Sequence, residues 1–227
     1  MPKSDSPSPA AVPRVALLVS GRGSNLEAIA RAAAGQSWPA CLALVLAHRE
    51  DIPAVRRARE LGLPVRILPL NPAIDRPAQD AQISQCLEEA AIDWIVLAGY
   101  MRILSPAFVR RHAGRVVNIH PSLLPAFPGL HTHRRALAAG VKLHGATVHL
   151  VDEALDAGPI LGQAAVPVLP DDDEARLAGR VLQAEHRLYP PVLRALIEGR
   201  LRVCGQRARW VGASAAADPL LLWVPVA

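Results

Sequence analysis

The chain holds only three cysteines in 227 residues, Cys41, Cys86 and Cys204. Their odd number, wide separation and apolar neighbours argue against a disulfide framework or a cysteine metal knuckle and predict reduced, buried thiols, as in a cytoplasmic protein. Long apolar runs are missing too. Ile92 to Leu97 and Leu220 to Val226 are far shorter than the roughly 20 residues that cross a bilayer, so no transmembrane helix and no membrane partner are expected. Residues 1–13 are polar and proline-rich and lack the apolar core of a secretory signal. They are expected to be a disordered leader with no export function.

Lysine is nearly absent: Lys3 and Lys142 are the only two among 25 basic residues. The formal net charge is +5 and the pI about 9.7, a field that steers small phosphorylated molecules and polymeric anions alike. The densest basic stretch, Arg194 to Arg209, lacks the interleaved aromatics on which single strands stack, so no nucleic-acid partner is expected.

What is present is apolar material for one core, 51% of the residues. The expected organisation is a single domain over residues 14–205, followed by an apolar tail, 206–227, whose structure the sequence leaves open. Val15 to Val19, Leu42 to Ala47, Val65 to Leu68 and Ile92 to Ala98 are short continuous apolar runs, each followed by a segment of helical spacing. That alternation predicts βαβ units and an α/β fold with a doubly wound, mostly parallel open sheet, which places ligands at the carboxyl ends of the strands. Ser105-Pro106 supplies a helix cap and first-turn proline. Later strands are expected at Arg115 to Ile119, His144 to Val151 and Ile160 to Val168, and a long helix from Asp172 to Leu188 that breaks before Pro190-Pro191.

Four clusters carry candidate chemistry. Val116-Val-Asn-Ile-His-Pro-Ser-Leu-Leu-Pro125 delivers Asn118 and His120 onto a proline-rich turn, an amide that donates hydrogen bonds and an imidazole that also moves protons. Ser20-Gly-Arg-Gly-Ser-Asn-Leu26 opens a helix whose first N–H groups suit a phosphate, or else forms a tight turn capped by Ser24. Leu26 stands where a dinucleotide fingerprint has its third glycine, and no P-loop lysine follows, which disfavours NAD and ATP. Val151 to Ile160 brings Asp156, a candidate partner that stabilises protonated His120, or an Asx turn before Gly158-Pro159. Gly129-Leu-His-Thr-His-Arg134, with His144 and His149, raises a metal reading, but the spacing fits helix capping or substrate contact better, and no metal is expected.

Taken together, Ser20 to Asn25, Leu97-Ala-Gly-Tyr-Met-Arg-Ile-Leu-Ser-Pro106, Asn118 to Pro125, Pro128 to Arg134 and Leu155-Asp-Ala-Gly-Pro159 resemble the glycinamide ribonucleotide transformylases in order and spacing, from about Val15 to Leu201. The resemblance implies transfer of a formyl group from 10-formyltetrahydrofolate, a cosubstrate, to the amine of glycinamide ribonucleotide in purine synthesis. By the same likeness, Asn118, His120 and Asp156 are catalytic; Gly23, Ser24 and Asn25 hold the phosphate; and Glu185 meets the ribose. Met101, Arg102, Ile103 and Leu104, with the loop from Asp152 to Asp156, form the pterin pocket, and Arg76 meets the glutamate tail. Partners are then small molecules, the chain a monomer or homodimer. The pattern is broken at Leu182, where the family carries a polar or charged residue near the substrate. Methionyl-tRNA formyltransferase and formyltetrahydrofolate hydrolase share the central motif, but the first usually adds an RNA-binding domain and the second lacks the His-Thr-His-Arg segment. A phosphate- or nucleic-acid-binding module is the non-enzymatic alternative.

Overall fold

A computed structural model describes residues 12–35, 38–211 and 221–223. Most of the expected leader and of the segment after Val211 lies outside the described residues. The chain alternates β1 (Arg14–Val19), α1 (Ser24–Gly35), β2 (Cys41–Ala47), α2 (Pro53–Glu60), β3 (Val65–Ile67), α3 (Arg76–Glu89), β4 (Trp94–Leu97), α4 (Pro106–Arg111) and β5 (Val116–His120). It continues with α5 (Thr132–Ala138), β6 (Leu143–Leu150), β7 (Ile160–Pro167), α6 (Glu174–Ile197), β8 (Leu201–Cys204), β9 (Arg207–Trp210) and β10 (Leu221–Trp223).

The strands make one sheet in the order β3-β2-β1-β4-β5-β6-β7-β9-β8, with β10 on β7. From β3 to β5 every pairing is parallel, and β5, β6 and β7 then pair antiparallel. Both faces of the parallel part are covered, which is why its strands are continuously apolar. Val15, Leu17 and Val19 join α1, α2 and α6 in one core through Leu26, Val55 and Leu188. Ala16 and Leu18 point the other way, onto Ile83, Leu87 and Phe108 of α3 and α4.

Ser105 caps α4 as expected, its Oγ accepting the Phe108 N–H at 3.3 Å. Three expectations are corrected. The last helix does not break at Leu188 but runs through Pro190 and Pro191 to Ile197. The prolines remove two backbone donors, yet Leu188, Tyr189, Val192 and Leu193 are all buried against the sheet, and the Tyr189 hydroxyl lies 3.1 and 3.0 Å from the Leu97 and Val117 carbonyls. Burial of that face outweighs the lost bonds. Only Cys86 is buried, whereas Cys41 and Cys204 are exposed because they are the end residues of their strands, the first of β2 and the last of β8. Residues 207–210 and 221–223 belong to the sheet, so the boundary expected at 205 falls inside the β8–β9 hairpin. No helix among the described residues is long and apolar enough to cross a membrane.

Candidate active site

Strand order reverses at β1, which pairs with β2 on one side and β4 on the other. The crevice beyond the carboxyl ends of β1 and β4 is therefore open to a ligand. Residues 20–24 leave β1 there, and the Met101 N–H donates to Ser20 Oγ across it at 3.3 Å.

Gly23 has φ 77°, and a Cβ on it would stand 2.6 Å from Ala54 Cα. Only glycine lets this turn lie so close to α2. The Glu27 N–H bonds the Gly23 carbonyl at 3.0 Å, so Gly23, not Ser24, holds the cap position of α1. The first-turn N–H groups ahead of Glu27 lack intrahelical acceptors and meet the positive end of the helix dipole. Beneath them, buried Asn25 donates from Nδ2 to Glu185 Oε2 at 2.7 Å, while its Oδ1 is buried without a partner. Burial pushes the Glu185 carboxyl up to about 7, with the Asn25 hydrogen bond and the Arg22 charge opposing. Arg22 is exposed at the rim, and Leu182 is half-buried one turn before Glu185.

At the carboxyl end of β5, Asn118 and His120 lie two residues apart and so share one face of the sheet. Antiparallel β6 sets His149 opposite Asn118 and Thr147 opposite His120. The loop from Val151 to Pro159 then folds back over that face. Gly158 makes the return possible, because a Cβ there would stand 2.0 Å from the Leu150 carbonyl oxygen. Asp156, with φ 52°, ends up with Oδ2 3.3 Å from His120 Nδ1 and accepting the Gly129 N–H at 2.8 Å. Asn118, His120 and Asp156, 38 residues apart at the extremes of the sequence set (156 less 118), thus converge on one spot.

Two members of this group were not placed by the sequence: Phe127, and His149, which it offered only beside the 129–134 histidines as a metal, capping or substrate contact. His120 Nε2 lies 3.0 Å from the Phe127 carbonyl, which only accepts, so Nε2 carries a hydrogen. His149 Nε2 lies 3.2 Å from Asn118 Nδ2 and 3.9 Å from Asp156 Oδ1. Its Nδ1 faces the Leu150 carbonyl at 2.9 Å, and burial depresses its pKa, so a neutral ring with a bare Nε2 takes one amide hydrogen of Asn118. The other hydrogen remains free to meet an incoming oxygen. No motif places His149 beside Asn118; only the β5–β6 register does.

Met101 and Ile103 are strongly exposed at 71% and 61%, Leu104 is buried and Arg102 half-buried. Leu130 and Leu155 are exposed too, and the Leu155 side chain reaches within 3.8 Å of where a Gly129 Cβ would be. Exposed apolar side chains of this kind suit contact with a flat ring. Arg76 is exposed at the start of α3 and makes no hydrogen bond or ion pair among the described residues. Asp152 is not brought to the triad: its Oδ1 accepts the Glu153 N–H at 2.7 Å, and it lines a separate cavity of about 750 Å³ at the opposite edge of the sheet, with Trp94, Leu150 and Leu201. His131 has φ 56° and its ring makes no cap to α5, taking instead the Arg134 guanidinium at 3.1 Å. His133 and His144 stack edge to face at 5.3 Å. Among the described residues no group of three or more metal-ligating side chains converges.

Such a site can bind a phosphate and sugar at one end, an apolar ring at the other, and stabilise an oxyanion between them. The formyl transferase family model matches residues 13–193. The chain is 43% identical over 197 residues to the phosphoribosylglycinamide formyltransferase of Escherichia coli (strain K12), covering 87% of this chain and 92% of that one. It is 46% identical over 188 residues to the trifunctional purine biosynthetic protein adenosine-3 of Drosophila melanogaster, covering 82% of this chain but 14% of that protein's length. A crystal structure of phosphoribosylglycinamide formyltransferase from Anaplasma phagocytophilum superposes with a TM-score of 0.83 at 38% identity, over 93% of this chain and 98% of the other. By sequence and by architecture, the chain belongs to the formyl transferase family.

Proposed function

We propose that this chain transfers the formyl group of 10-formyltetrahydrofolate to the primary amine of glycinamide ribonucleotide, a step of purine synthesis. The observation that carries the reading is the convergence of Asn118, His120 and Asp156 at the carboxyl end of β5, with His149 linking Asn118 to Asp156. In this reading the ribonucleotide phosphate lies on the N–H groups of Gly23, Ser24 and Asn25, and Glu185 accepts from ribose hydroxyls. The pterin rests on residues 101–104 and on the loop that carries Asp156, and Arg76 meets the glutamate tail.

The amine nitrogen attacks the formyl carbon, forming a C–N bond and placing negative charge on the formyl oxygen. The free amide hydrogen of Asn118 and the Nε2–H of His120 are the donors to that oxygen. A charged oxygen is a stronger acceptor than the neutral Phe127 carbonyl, so it recruits the Nε2–H as charge develops. The bond from the formyl carbon to the folate N10 then breaks, and the proton lost by the amine passes to N10, with His120 and Asp156 as the carriers. Products are the formylated ribonucleotide and tetrahydrofolate, and no covalent intermediate on the enzyme is required.

The test is formyl transfer by the purified protein to glycinamide ribonucleotide, run beside initiator methionyl-tRNA and water-only reactions. The expected result is a formylated ribonucleotide, with turnover reduced about a hundred- to a thousandfold in Asn118→Ala and in His120→Ala and comparably in Asp156→Ala. Turnover within a few-fold of normal in any of these variants would sink the assignment, and formylation of tRNA or acceptor-free hydrolysis would replace the acceptor.

A further inference from the structure

Between β2 and the 100–104 segment lies a half-buried polar relay that the transfer step does not use. His48 follows β2, and its Nδ1 is 2.8 Å from the Leu68 carbonyl. Its Nε2 is 2.7 Å from the Tyr100 hydroxyl and 2.9 Å from Arg102 Nη1. Arg102 Nη2 donates in turn to Gln79 Oε1 at 2.8 Å. One residue on, the buried Asp80 carboxylate accepts the Ser105 N–H at 2.6 Å.

Chemistry fixes the proton at both ends of this imidazole. A carbonyl only accepts, so Nδ1 carries the hydrogen; a guanidinium only donates, so Nε2 must be bare. The ring is therefore the neutral Nδ1–H tautomer. Burial, the first cause, and the Arg102 charge hold its pKa below the usual value, against the Leu68 carbonyl and Asp80, which raise it. The Tyr100 hydroxyl, pushed up to about 12 by burial, keeps its proton and donates. The consequence is mechanical: residues 100–105 are tied to β2 and α3 at three points, while Met101 and Ile103 between them stay exposed.

We propose that His48 is a positioning residue for the folate: through Tyr100 and Arg102 it holds residues 100–104 in the shape that receives the pterin. This rests on the reading of that segment as the folate pocket. β2 lies three strands from β5 in the sheet, so His48 stands away from Asn118 and His120 and its loss should weaken one substrate only.

The test is steady-state kinetics of wild type, His48→Phe, His48→Gln and Tyr100→Phe with 10-formyl-5,8-dideazafolate as the stable donor. In His48→Phe the KM for the donor should rise about five- to tenfold, the worth of one or two hydrogen bonds. The KM for glycinamide ribonucleotide and kcat should change less than about twofold, a split that general destabilisation would not produce. Tyr100→Phe should show a smaller rise of the same kind. His48→Gln, whose amide donates to Leu68 and accepts from Arg102, should recover most of the loss. An unchanged donor KM in His48→Phe, or equal rises for both substrates, overturns the proposal, as does an Nε2–H tautomer in the ring ¹⁵N shifts at pH 7. A wild type that transfers no formyl group marks failure of the functional reading instead; the same donor's Kd, measured on wild type and His48→Phe, then decides the role of His48 by itself.

Discussion

Glu185 lies buried beneath the first turn of α1, hydrogen-bonded to Asn25. Its carboxyl is shifted from 4.5 to about 7 by burial, so between those values the folded chain holds a proton that the unfolded chain has lost. Stability therefore falls as pH rises from about 4.5 to about 7, and above that the penalty is constant. Glu185→Gln should remove this slope, gaining up to about 3 kcal/mol relative to wild type at pH 8 but not at pH 4. Thermal unfolding of both proteins across that range checks it, with a raised KM for the ribonucleotide as the functional cost. At this scale the sequence was informative where a residue was out of place. Asn118 and His120 end an apolar strand where packing demands neither. His149 stood out only as one histidine of a cluster; it is buried in a buried strand, and its place beside Asn118 is set by the β5–β6 register.

The loop between β6 and β7 shows how an element turns spacing into geometry. Its Asp-Ala-Gly-Pro sequence announced a turn, and with it an Asx alternative for Asp156. Its path back to His120 was not legible, because it depends on contact between Gly158 and the Leu150 carbonyl. Gly158→Ala should push the loop outward and take Asp156 with it. Turnover should fall about a hundredfold, the usual effect of misplacing a catalytic group by an ångström, while the unfolding transition stays cooperative; normal kcat in a folded variant would refute the argument. The continuation of α6 through Pro190 and Pro191 teaches the opposite lesson. Local rules end a helix there, and a face of buried apolar side chains overrules them.

At the scale of the molecule, the βαβ alternation could be read directly, because buried parallel strands need continuous apolar runs. The antiparallel extension through β6 and β7, and the recruitment of β9 and β10, could not, since strand partners are chosen by tertiary contact. β10 pairs with β7 at Gln163 to Ala165, and covering an edge in this way removes a template for association. Removing residues 212–227 should therefore promote self-association and lower the unfolding temperature while leaving KM for both substrates unchanged, as light scattering, calorimetry and kinetics would show. Packing of α1 against α6 also joins distant stretches of chain. The Asn25–Glu185 hydrogen bond links residues 160 positions apart, and it floors the end of the cleft assigned to the ribonucleotide. During synthesis from the amino end, β1 and β5, the strand that carries Asn118 and His120, leave the ribosome well before Glu185 has been added. On the proposed reading, a nascent chain can therefore own the residues of the transfer chemistry and still be blind to its substrate, and translation itself delays the first encounter until α6 is made.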